Sequence, residues 1–146
     1  MKPFALHAVL KYRRQLEDSA RQQLFQALEV EARLQETLFQ VEAELADLYA
    51  GLQQDKEQGT TVDRLVLFGY RIDLVKDQVK LRRAELHKQQ TQVAKKRQLL
   101  VKASKDRKVI EKLQEQQNAA YKLYVEKKEA AMLDEIAVLS HERKRR

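Results

Sequence analysis

The chain has no cysteine and no tryptophan, a single proline and three glycines among its 146 residues. Without thiols there is no disulfide framework and no thiolate-ligated metal, and a reducing cytosol is the natural compartment. The proline is Pro3, at the very start, where a helix tolerates it because an N–H there would go unpaired in any case. Gly51, Gly59 and Gly69 never cluster, which excludes the glycine-rich loop that cradles a nucleotide phosphate. His7, His87 and His141 are too far apart for the paired spacing of a helix-borne metal site, so neither cofactor nor metal is expected. Long apolar runs are also missing. The opening MKPFALHAVLKYRR is broken by His7 and closed by basic residues, far short of the roughly 20 apolar residues that span a bilayer. A soluble chain without membrane insertion is expected.

Two apolar ladders fill the space that these absences leave. Leu6, Leu10, Arg13, Glu17, Ala20, Leu24, Ala27, Glu31, Leu34, Leu38, Val41, Leu45, Leu48 and Leu52 follow a 3,4 spacing without a skip. From Leu65 the alternation resumes through Phe68, Ile72, Val75, Val79, Arg82, Leu86, Gln89, Val93, Lys96, Leu100, Ala103, Arg107 and Ile110. Sustained heptads of this kind predict a coiled coil. Between them, Gly59 suits a helix stop, Thr60 or Thr61 a helix cap, and Asp63 a favourable charge in a first turn. The fold class predicted is all-α: a two-helix antiparallel coiled-coil hairpin in one domain, residues 1–146. Helix one is expected over about 4–56, the turn over 57–61, helix two over 62–141 and a basic tail over 142–146.

Folding one ladder onto the other pairs Leu52 with Leu65, Leu45 with Ile72, Val41 with Val75, Leu38 with Val79 and Leu24 with Val93. Long polar intruders then meet small residues: Gln89 faces Ala27, Lys96 faces Ala20, and Arg13 faces Ala103. Such polar rungs set register at a cost in stability. In this register Leu6 faces Ile110, and helix two overhangs beyond about residue 112. The overhang carries Leu113, Tyr121, Tyr124, Val125, Met132, Leu133, Ile136 and Leu139, an amphipathic surface suited to a binding partner, although fraying or pairing with another copy would also account for it.

Charge is unevenly spread over the net +7. Residues 1–58 hold seven Lys/Arg against ten Asp/Glu, whereas residues 76–112 hold thirteen against four. Opposite signs favour pairing of the two arms, with basic charge left over for partners. The run from Lys95 to Lys112 has the lysines and arginines of a phosphate-binding surface. It has no interleaved aromatics for base stacking and no zipper placed for major-groove docking, so specific nucleic-acid binding is not expected. Solvated carboxylates on a thin hairpin have nothing to raise their pKa for acid/base work, and an enzyme is not expected either.

Three stretches carry a family resemblance: Phe4-Ala5-Leu6-His7-Ala8-Val9-Leu10-Lys11-Tyr12-Arg13, Lys105-Asp106-Arg107-Lys108-Val109-Ile110-Glu111-Lys112-Leu113, and Leu133-Asp134-Glu135-Ile136-Ala137 followed by His141-Glu142-Arg143. Together with length and unequal arms, the chain resembles the flagellar export protein FliJ family and its virulence-secretion stalk relatives. The resemblance implies a non-enzymatic stalk that binds the hexameric export ATPase FliI, contacts the export-gate protein FlhA and engages export chaperones. It further implies a cytoplasmic protein recruited to the inner membrane at the flagellar basal body. By that analogy Tyr121, Tyr124, Met132, Leu133 and Ile136 are expected at the ATPase, and Tyr49, Phe68 and Tyr70, near the hairpin tip, at the gate. Phe68 also lies on the seam, where core packing is its plainer role. A generic coiled-coil scaffold or tether is the alternative, with a basic nucleic-acid-binding rod a more remote one.

Overall fold

Leu, Ala, Glu, Gln, Lys and Arg, which lose little side-chain freedom in a helix, dominate the sequence on both sides of Gly59. The computed structural model describes residues 5–145. Two helices account for nearly all of them: α1, His7–Gln58, of 52 residues, and α2, Val62–Arg145, of 84 residues. No strand occurs among the described residues. Phe4, the expected start of the first helix, lies outside the described residues, and α2 continues through Arg145 rather than ending at His141. Its last turn holds Arg143, Lys144 and Arg145, cations that favour a helix C-terminus although they add nothing to an apolar pattern.

The turn is set by local chemistry. Gly59 has a φ of +88°, a left-handed conformation that residues with a Cβ rarely adopt. Thr61 caps α2, its Oγ1 accepting the Arg64 N–H at 3.2 Å, with Asp63 in the first turn. The Arg64 guanidinium then reaches back across the turn and donates two hydrogen bonds to Asp55, at 2.8 and 3.1 Å. Gly69 presents a contrast: it lies inside α2, and a Cβ added there meets nothing within 4 Å. Gly59→Ala is therefore expected to lower stability by about 1 kcal/mol, and Gly69→Ala to raise it by about 0.5–1 kcal/mol. Thermal melts followed by circular dichroism should move in opposite directions for the two variants. Equal shifts would contradict this account of the two glycines.

The described residues separate into two units, 19–100 and 5–18 with 101–145. Within the first, facing segments of α1 and α2 share an apolar seam. Leu48, Ile72, Val75, Val79 and Val93 are buried, while Leu24, Leu34, Leu38, Val41, Leu45, Leu52, Leu65, Phe68, Leu86 and Leu100 are partly buried. Leu48, Ile72 and Val75 form its densest cluster, flanked by Val41, Leu45, Leu52 and Phe68. Polar rungs in this seam find specific partners. Gln89 Nε2 donates to the backbone carbonyl of Ala27 at 3.0 Å, and Lys96 Nζ donates to Gln23 at 3.2 Å. Arg82 bonds Glu85 through its terminal nitrogen, which leaves its buried Nε without an acceptor.

The other unit is held differently. Leu10, 1% exposed, is its only fully buried apolar side chain among the described residues. The unit also holds a charged cluster: Arg107 donates to the buried Glu17 and, at 2.7 Å, to Glu111, while Arg14 reaches Glu111 and Arg13 reaches Asp106, both at 3.4 Å. The hydrogen bond from Arg107 holds the Glu111 carboxyl below its ordinary value of 4.5, and that from Arg64 does the same for Asp55 below 3.8. A lowered carboxylate pKa stabilises the fold above its unfolded value and loses that effect as pH falls through the folded value. The arginine partners are raised, so their charge persists at every ordinary pH. Stability should consequently be flat near neutrality and fall only in acid, below about pH 4, with a smaller fall in high salt because these pairs are solvent-screened. Melting temperature against pH checks this, and a transition centred near pH 6 would contradict it.

Candidate functional site

An α-helix that buries one stripe exposes the rest, and the informative exposed residues are large apolar ones that recur on one face. In the unit formed by residues 19–100, such a face lies on α2 opposite the seam. Val66, Leu67, Tyr70, Leu74 and Leu81 are each at least half exposed, and Leu67, Tyr70, Leu74 and Leu81 fall at near-heptad spacing. Tyr70, at 65% exposure, is at the centre of this stripe. Tyr49 is on α1 and less open, its ring lying 5.8 Å from the Lys76 ammonium in a cation–π contact. Phe68 turns inward: it packs against the Leu48 cluster, and its ring would lie 3.3 Å from a Cβ placed on Gly51. Of the three tip aromatics, Tyr70 alone belongs to the open stripe. Val66, Leu67, Leu74 and Leu81 were not singled out by the sequence, although their near-heptad recurrence, out of phase with the seam, is visible there.

A second open face lies at the far end of α2. Residues 126–145 are exposed without exception. Met132, Leu133 and Ile136 are each more than half exposed, and Leu139 extends the same apolar face, while the exposed Val138 lies on the other side of the helix. Tyr124 is exposed as well, whereas Tyr121 and Val125 are half-buried and line a shallow apolar depression with Asn118, Ala119 and Lys122. The five expected ATPase-facing residues thus lie along one helical segment, with Tyr121 the most covered.

Among the described residues no cluster of His, Asp or Glu is arranged to hold a metal ion, and no helix is long and apolar enough to cross a membrane. What the two faces can do is bind other helices or apolar grooves, since each offers aromatic and aliphatic side chains at helical spacing.

The profile of the flagellar FliJ protein family matches residues 1–146. A search of curated protein sequences finds no match. Among solved structures, the chain is similar to a YscO homologue from Chlamydia trachomatis, with 20% identity over 97% of this chain and 96% of that one and a TM-score of 0.47.

Proposed function

The chain belongs to the flagellar FliJ protein family, and from that premise we propose that it is a non-enzymatic stalk that couples the export ATPase ring to the export gate. It is a component of flagellar protein export. In our reading the end of α2 enters the ring of the hexameric ATPase FliI. The observation that carries this is the run 126–145, helical and exposed along its whole length, with Met132, Leu133 and Ile136 open to a partner. Isolated helices draw little stability from propensity alone, so an open helix of this length with an apolar face gains most by docking.

The gate protein FlhA is assigned to the stripe of Leu67, Tyr70, Leu74 and Leu81, and to Tyr49 on α1. Phe68 acts from beneath, by holding the seam on which the stripe rests. Export chaperones are further partners. The protein works in the cytoplasm and is recruited to the inner membrane at the basal body. Two apolar faces from different stretches of a single polypeptide suit a linker that engages two partners.

The test is stimulation of the cognate ATPase by the full chain, alongside pull-down of the hexamer and of the cytoplasmic part of the gate protein. Charge placed on Met132 and Ile136 should remove the first effect and leave gate capture intact, whereas charge on Tyr70 and Leu74 should do the reverse. If neither set discriminates, the assignment of the two faces fails.

A further inference from the structure

Within residues 101–112 of α2 the acidic side chains are already engaged. Asp106 pairs with Arg13, and Glu111 pairs with Arg107 and Arg14, all on the side of the helix turned toward α1. Lys102, Lys105, Lys108 and Lys112 are exposed and make no ion pair among the described residues. Lys105, Lys108 and Lys112 follow an i, i+3, i+7 spacing, which puts them on one face, while Ala103, Arg107 and Ile110 are partly covered on the other. Val101 and Val109, 49% and 59% exposed, lie between the lysines.

We propose that this lysine face binds anionic phospholipid headgroups at a membrane surface. Four unneutralised lysines on three helical turns are a polybasic cluster of the size that anionic membranes attract. A line of charge on one helix face fits a plane of headgroups without any preformed pocket, and lysine stems carry their charge to the interface while their methylenes and the two valines rest against it. Nucleic acid fits less well, because no aromatic side chain lies between 101 and 112 to stack on a base. The ATPase and gate readings above neither require this face nor are required by it.

The experiment is co-sedimentation of the full chain with vesicles of phosphatidylglycerol and phosphatidylcholine, compared with phosphatidylcholine alone. The triple variant Lys105→Gln, Lys108→Gln, Lys112→Gln removes the charge at positions that are all exposed, so its circular dichroism should match that of the parent. At about fivefold per lysine, partitioning should fall on the order of a hundredfold, and the Lys→Arg triple should retain it. A control triple of the same net charge, Lys122→Gln, Lys127→Gln, Lys128→Gln, should bind nearly as well as the parent. Indifference of the parent chain to phosphatidylglycerol would overturn the proposal, as would an equal loss in the control triple. Tighter binding to duplex DNA or poly-glutamate than to the vesicles, abolished by the first triple, would overturn it too, since the face would then belong to a nucleic acid or to an acidic protein.

Discussion

Ile72→Asp is expected to unfold the segment built from residues 19–100, or to leave it so weakly stable that it melts well below the parent. Ile72 is 5% exposed and sits between Leu48 and Val75 in the densest part of the seam. The substitution removes about 2 kcal/mol of apolar burial and places a carboxylate in an apolar cluster that has no hydrogen-bond donor of its own for it, a further penalty of about a few kcal/mol. A domain's net stability is only about 5–15 kcal/mol, and here just five apolar side chains in the unit are buried. Few other contacts exist to absorb the loss. Chemical denaturation followed by circular dichroism measures it, with Ile72→Val, expected to cost only about 1 kcal/mol, as the conservative comparison. If Ile72→Asp melts within a few degrees of the parent, the seam is not what holds this unit.

The second large effect concerns function without folding. Met132→Asp together with Ile136→Asp should abolish stimulation of the export ATPase while the helical signal and melting temperature stay unchanged. Both residues are exposed, at 55% and 58%, so the carboxylates remain in water in the free protein. They become costly only when a partner covers them. Loss of about 2 kcal/mol at a binding hot spot corresponds to roughly 30-fold in affinity, and two adjacent charges should exceed that. Truncation after residue 112 should act in the same direction. Should a chain ending at 112 stimulate the ATPase as well as the full chain, the end of α2 is not the ATPase-facing element.

Much of the fold was legible because the apolar residues that form the seam are spaced for a single helical face. The turn was legible through Gly59 and the Thr60-Thr61 pair, residues whose local chemistry has few other uses in so helical a sequence, although only the structure shows that Thr61 is the cap. The exposed stripe of Leu67, Tyr70, Leu74 and Leu81 has a recurrence that the sequence also displays, yet it is easily passed over for a physical reason: α2 carries apolar residues on two opposite faces there, and the ladder that explains one face draws attention from the other. The charged cluster escaped for a different reason. Glu17 and Arg107 stand in the ladders as two separate polar intruders, and only the reach of long side chains, which heptad spacing does not encode, joins them. The end of α2 was placed short at His141 because apolar periodicity fades before the helix does.

The hydrogen bond from Gln89 to the Ala27 carbonyl also has a mechanical meaning. One heptad of sliding, roughly 10 Å along the axis, would carry Gln89 opposite Ala20 or Leu34. The turn at 59–61 gives no slack for such a move. Side chain and turn together act as a detent, so a pull on one helix of this unit should be resisted as a load and not dissipated as slip.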